Sequence, residues 1–169
     1  SNERNKMKKS PARNINLKKE PSKLLETINS SIDVDSRFYK EDISGSIAHA
    51  KMLITTQIIS KSDGNKIILG LKKILKDIEK GNVTFKKKYE DIHMNIEVLL
   101  QNKIGSIAGK LHTARSRNDQ VVTDFKLWIK NNSIDLDKAC KDFQNELLKV
   151  AKKNILTVMP GYTHLQIAQ

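Results

Sequence analysis

The residues from Gly109 to Gln120 combine the side chains of a helix start with a pair of arginines. Ser116 and Asp119 have the spacing of a capping box, in which a serine and an acid bind the first free N–H groups of a helix. This box places Arg117 and Asn118 in the first turn. Free N–H groups and the positive end of the helix dipole favour an anion there, and arginine adds paired contacts to carboxylates. The alternative is an ordinary capped helix with solvated arginines.

A second segment, Pro160 to Gln166, contains another pair with capping-box spacing, Thr163 and Gln166. The pattern predicts that a new helix begins near Thr163, with His164 in its first position. A helix N-terminus disfavours the imidazolium cation. A neutral histidine can move protons or donate a hydrogen bond to an anionic intermediate. The alternative is a histidine at a helix start with no chemical task.

The other polar candidates indicate packing. His93 and Glu97 lie four residues apart on one helical face, as metal ligands can, but no third ligand has suitable spacing. We therefore expect a side-chain pair and no metal. His49 lies among apolar neighbours and Cys140 on the apolar side of a helix, so both are expected to be packed.

Helices must position these residues, because apolar side chains recur at helical spacing along most of the chain. We expect helices at about 36–59, with a flexible point at Gly45, and at 65–80, 90–102 and 116–153, with Gly81 ending the second of them. The last would have nearly forty residues, a length that usually needs partner helices along its apolar stripe. The fold class is therefore all-α.

Three domains are expected: a basic mobile arm at 1–20, an amino-terminal helical domain at 21–115, and the start of a central helical bundle at 116–169. The last contains the first long helix of that bundle. We also expect the apolar stripe to drive oligomerisation or aggregation.

The net charge of +12 does not indicate a nucleic-acid site, because much of it falls in the arm and aromatic residues are only 5% of the chain. No run of 18 apolar residues exists that could span a membrane. The single cysteine excludes an intrachain disulfide, which fits a reducing, cytoplasmic location.

Four blocks resemble argininosuccinate lyases and the related delta-crystallins. The most specific are HTARSRNDQVVTD at 112–124 and PGYTHLQ at 160–166, and the others lie at 29–35 and 90–93. The resemblance covers about 21–169. It implies an all-α homotetramer built around very long helices, with active sites formed by several subunits.

The resemblance also implies a reaction, the reversible β-elimination that splits argininosuccinate into arginine and fumarate without a cofactor or metal. A base removes a proton beside a carboxylate, and the guanidino group then leaves. His164 corresponds to the catalytic histidine. The substrate-binding and supporting positions that the resemblance implies are Ser31, Asn118, Thr163, Arg117 and Asp91.

This chain departs from the family pattern at three points. Residues 13–17 read RNINL where a Trp-Gly-Gly-Arg-Phe-like block is usual, and Ala114 stands where glycine is common. The family's later loop with a catalytic serine is absent, so we expect an amino-terminal fragment with no turnover of its own. The alternatives are a non-catalytic, crystallin-like structural protein and, less favoured, a basic helical module that binds nucleic acid.

Overall fold

The computed structural model describes residues 28–168, so the arm expected at 1–20 lies outside the described residues. The chain forms two compact units, one ending at Trp128 and the other beginning at Ile129. Apart from one small hairpin, the regular structure within 28–168 is helical, which confirms the all-α prediction. None of the helices in this part is long and apolar enough to span a membrane.

The helices agree closely with the sequence periodicity. The α-helices are α1 (Ile32–Asp35), α2 (Tyr39–Thr55), α3 (Lys61–Glu79), α4 (Ile92–Ile104) and α5 (Arg117–Lys153). Short 3₁₀ segments lie at Ser36–Phe38, Lys87–Tyr89 and Gly105–His112. The hairpin consists of β1 (Tyr162–Thr163) and β2 (Gln166–Ile167).

Helix α3 has well-defined signals at both ends. The Ser60 side chain accepts a hydrogen bond from the backbone N–H of Asp63 at 3.1 Å, which caps the start. At the other end Gly81 has a φ of +72°. Its N–H donates to the carbonyl of Ile78, and that of Asn82 donates to the carbonyl of Asp77, so the helix ends in a Schellman motif. Gly81 therefore ends the helix as predicted.

The core of the first unit lies where α2, α3 and α4 pack together. Its central side chains are fully or almost fully buried: Ile43, Leu53, Ile67, Leu71, Ile74, Ile92, Ile96 and Leu100. Gly70 allows a close helix contact, because a Cβ there would lie 2.7 Å from Leu100 Cδ1.

Helix α2 continues without a break through Gly45, where the sequence predicts a flexible point. A Cβ at Gly45 would lie 3.2 Å from Oδ1 of Asp124. The glycine therefore allows α2 and the start of α5 to approach closely around that carboxyl group.

The long helix is confirmed, since α5 runs without interruption for 37 residues. Its first turns, in the first unit, bury Gln120 and Asp124. In the second unit every residue from 129 to 168 is exposed. Cys140 is exposed as well, so the prediction that it is packed in a core is wrong. The apolar stripe exists, but no described residue of the second unit covers it.

The helix expected near Thr163 is replaced by an antiparallel hairpin in which Tyr162 faces Ile167 and Thr163 faces Gln166. His164 and Leu165 form its turn, with φ values of 50° and 62°. Positive φ at both central residues is typical of the type I′ turn that suits a two-residue hairpin. All these side chains are exposed, so no packing surface stabilises a first helical turn instead.

Candidate functional site

The start of α5 has the capping box that its sequence predicts. The backbone N–H of Ser116 donates to Asp119 Oδ2 at 2.9 Å, and the N–H of Asn118 donates to Ser116 Oγ at 3.2 Å. The Asn118 side chain is exposed at this helix start. Its amide, together with the positive end of the helix dipole, can therefore meet an anionic group arriving from solvent.

Arg117 is held by acidic and amide groups of its own unit. Its Nη2 lies 3.0 Å from Oε1 of Glu97, its Nη1 donates to Oε1 of Gln120 at 2.7 Å, and its Nε lies 3.9 Å from Oδ2 of Asp91. The arginine therefore ties the first turn of α5 to α4. A ligand carboxylate would have to share this guanidinium with protein carboxylates.

Ser31 and Asp91 lie close together because the backbone of Ser31 bonds to Glu90, the residue before Asp91. The N–H of Ser31 donates to the carbonyl of Glu90 at 2.9 Å, and the Ser31 hydroxyl donates to Asp35 Oδ2 at 2.6 Å. Asp91 caps α4 by accepting from the N–H of Met94 at 2.6 Å. Burial raises the pKa of Asp35 above its usual value. The two predicted residues thus lie close together, and Arg117 contacts Asp91.

Four of the six predicted site residues belong to the first unit. Three of them, Ser31, Asp91 and Arg117, lie in one set of linked contacts, and Asn118 follows Arg117 in sequence. Thr163 and His164 belong to the second unit and lie on the hairpin. The prediction that His164 occupies a helix start is wrong, and its catalytic assignment stays a prediction.

A buried polar cluster, which sequence reasoning missed, lies behind the start of α5. His93 Nδ1 is 2.9 Å from Asp42 Oδ1 and 3.3 Å from Asp124 Oδ2, and all three side chains are at most 2% exposed. The expected pair of His93 with Glu97 is therefore wrong. Glu97 binds Arg117 instead, because His93 points into the interior.

The three groups of this cluster have strongly shifted acidities. Burial and the neighbouring charge of Asp42 raise the pKa of Asp124 to about 8. Burial alone would raise the pKa of Asp42, but the hydrogen bond and charge of His93 together with the hydrogen bond from Gln120 outweigh burial and lower it. Burial would lower the pKa of His93, whereas the hydrogen bond and charge of Asp42 raise it. The favoured state is therefore an ion pair beside a neutral acid.

The cluster has the residue types of a cation site but the contacts of a hydrogen-bonded network. The ligand atoms of Asp42, His93 and Asp124 lie within 4.8 Å of one another. However, Asp42 and His93 contact each other directly, which leaves no space between them for an ion. The sequence signal that could have found the cluster is weak, because three separate helices contribute one residue each.

A cavity of about 340 Å³ opens beside the cluster in the first unit. Its lining includes His49, Arg115, Asp119 and Asp124. His49 is half-buried and its Nε2 lies 2.9 Å from the carbonyl oxygen of Thr113, so it contacts the segment before α5. The cavity therefore gives solvent a route towards the Asp124 carboxyl group.

Comparisons with known proteins identify the family of this chain. A family model described as "Lyase" matches residues 16–169. Proteins named argininosuccinate lyase are 52% identical in Bartonella bacilliformis and 55% identical in Ehrlichia chaffeensis, each over 149 residues that make up 88% of this chain and 32% of the relative. A protein of the same name in Pelagibacter ubique is 51% identical over 153 residues, 90% of this chain and 33% of the relative.

The chain spans about a third of the length of the curated relatives it matches. The matched region includes both predicted motifs, the start of α5 and the hairpin with His164. Because the family model covers most of the sequence, this chain belongs to the lyase family.

Proposed function

We propose that this chain is the amino-terminal part of an argininosuccinate lyase. The whole protein would catalyse the reversible β-elimination of argininosuccinate to arginine and fumarate, as a cytoplasmic homotetramer that uses no cofactor. The observation that carries this proposal is the exposed, capped start of α5, where Asn118 stands beside the Arg117 bridge to Asp91 and Glu97. An acid-rich substrate suits such a site.

Within the first unit we assign binding and positioning roles. The Asn118 side chain is exposed and its amide can donate to a substrate carboxylate, supported by the positive end of the helix dipole. Arg117 positions this turn through its contacts with α4 and adds positive potential. The exposed Ser31 would offer its hydroxyl, which already donates to Asp35, as a further substrate contact.

The hairpin would supply Thr163 and His164. Both are exposed, and the positive φ of His164 sets its side chain at the tip of a tight turn. We propose that hairpin and helix start meet in the assembled protein, with different subunits contributing to one site. The exposed apolar stripe of α5 in the second unit supports assembly, because a stripe of this kind expects partner helices.

A chimera tests the proposal directly. Residues 28–168 would replace the matching region of the Bartonella bacilliformis relative, and fumarate formation would be followed by its ultraviolet absorbance. We expect an active chimera. Within the graft, His164→Asn should reduce kcat by about 10²-fold or more, as expected for loss of a proton-transfer group. Asn118→Ala should reduce kcat/KM. Lys72→Ala, at an exposed position on α3, is the matched control and should have no effect.

Circular dichroism and light scattering would establish that each chimera folds and assembles. A folded tetramer that binds substrate without turnover would refute the catalytic proposal and favour the crystallin-like alternative. The nucleic-acid alternative would require salt-dependent binding of duplex DNA that survives deletion of residues 1–20.

A further inference from the structure

The buried cluster of Asp42, His93 and Asp124 goes beyond this function, because none of its members was assigned a role above. We propose that Asp124 is a positioning residue. It is a neutral carboxylic acid that donates a hydrogen bond to ionised Asp42 and so holds the first turns of α5 against α2 and α4. The inference concerns the charge state of a buried group. It holds whether or not the whole protein is an argininosuccinate lyase.

The two carboxyl groups differ sharply in the donors around them. Asp42 Oδ1 receives a hydrogen bond from Nε2 of Gln120 and lies 2.9 Å from Nδ1 of His93. Asp124 Oδ2 is fully buried, yet no donor forms a hydrogen bond to it. A carboxylate surrounded by donors is stabilised as the anion, whereas a buried one without donors is stabilised as the acid.

The closeness of the two carboxyl groups also favours one bound proton. A side-chain oxygen of Asp42 and one of Asp124 lie within 4.8 Å of each other, and two carboxylates this close in a buried site do not both ionise readily. The proton must belong to the group that lacks other donors, which is Asp124. The raised pKa of Asp124, about 8, supports this assignment. Asp42 then keeps its charge and pairs with the imidazolium of His93.

The charged groups on the surrounding elements do not remove the need for this proton. The segment before α5 contributes Arg115, whose Nη1 donates to the buried Ser46 hydroxyl at 3.1 Å and whose pKa is lowered by burial. The other charged or titratable groups nearby are His49 on α2, Asp91 and Glu97 on α4, and Asp119 and Arg117 on α5. The positive charges of His93 and Arg115 lower the pKa of Asp124, but burial and the charge of Asp42 outweigh them, and Arg117 is paired with Glu97.

The contact between Asp124 and Asp42 lies at the start of the helix that carries Asn118. Gln120 and Asp124 are the buried residues of α5. Gln120 donates a hydrogen bond to Asp42 of α2, and Asp124 lies beside the same carboxyl group. Gly45 leaves room for the Asp124 carboxyl group, and Asp124 is one of the residues that line the neighbouring cavity. Loss of the proton would place two facing carboxylates beside one imidazolium and weaken the attachment of α5.

The expected pH dependence follows from the raised pKa of Asp124. In the unfolded chain this group ionises near 3.8, whereas in the folded chain it keeps its proton up to about 8. The native state therefore holds about one more proton over most of this interval, so stability falls as pH rises towards about 8 and then levels off. His93 adds a change in the same direction, because its pKa is also raised.

The test compares two isosteric variants of the whole chain. Asp124→Asn imitates the neutral acid. We expect it to fold and to release about one proton fewer than the wild type on urea unfolding at about pH 6. Asp42→Asn removes the counter-ion of His93 and should lose much more stability. Asp135→Asn, on the exposed part of α5, is the matched control and should keep the wild-type proton release.

Carbon-13 NMR of labelled aspartate gives a second measurement that does not depend on a variant folding. The Asp124 carboxyl resonance of the wild type should titrate near pH 8. Titration in the ordinary range near 3.8 would overturn the proposal. So would the reverse pattern of variants, with Asp42→Asn well tolerated and losing the extra proton while Asp124→Asn collapses.

Discussion

The two parts of α5 have the same kind of sequence but opposite surroundings. Up to Trp128 the helix belongs to a unit with a continuous core, and it buries Gln120 and Asp124 there. From Ile129 onward apolar residues recur at the same helical spacing, yet Leu136 and Phe143 are each 65% exposed. An amphipathic pattern therefore indicates which face of a helix must be buried, but not which residues bury it.

The largest difference between the two units is expected when matched leucines are replaced by alanine. Leu71→Ala removes a fully buried side chain and should lower the free energy of unfolding by about 2–5 kcal/mol. Leu136→Ala in the second unit should change it by about 0.5 kcal/mol or less. Trp128, the only tryptophan, packs 5.6 Å from Phe38 and reports unfolding of the first unit by fluorescence. Equal losses in the free energy of unfolding for the two variants would contradict the difference in burial between the two units.

A buried asparagine should have the next largest effect. Asn95 Oδ1 accepts from the N–H of Lys86 at 2.8 Å, and its Nδ2 donates to the carbonyl of Asp91 at 2.8 Å. Asn95→Ala leaves these groups unpaired and should cost about 1–3 kcal/mol in urea unfolding. Asn145→Ala, at an exposed position of α5, serves as the control. An Asn95→Ala protein as stable as this control would show that water replaces the lost bonds.

The cap of α3 should matter less. Ser60→Ala removes the acceptor for the N–H of Asp63 and should cost about 1 kcal/mol. Ser60→Gly should recover most of the loss, because glycine is tolerated at an N-cap. Thermal unfolding by circular dichroism measures both. Ser133→Ala lies within α5 at an exposed position and should be neutral or slightly stabilising, so a loss there as large as at Ser60 would contradict the capping explanation.

The smallest effect is expected at a surface ion pair. The hydrogen bond from Lys103, at 2.7 Å, lowers the pKa of Asp77. This group therefore contributes stability that is present above its usual pKa of 3.8 and is lost as pH falls through its lower folded value. Asp77→Asn should slightly reduce the fall in the free energy of unfolding at acid pH. Added salt should reduce the difference from wild type. A difference that persists in high salt would indicate another role.

Local patterns predicted most of the helices. The end of α3 at Gly81 and the start of α5 at Ser116 were predicted, because those interactions involve residues close in sequence. The start of α3 was predicted at 65, whereas the cap at Ser60 begins the helix at Lys61. The hairpin around His164 was not predicted, because a capping-box spacing and a tight turn use similar residues and the choice depends on packing.

The helical class, the length of α5 and the family motifs can all be predicted from the amino-acid order, since periodicity and short spacings are properties of the chain alone. The packing of the helices is needed to know that Asp42, His93 and Asp124 meet in one buried cluster and that Arg117 pairs with Glu97. These contacts join residues that are far apart along the chain. These groups come from α2, α4 and α5, and no local rule determines which side chains three packed helices bring into contact.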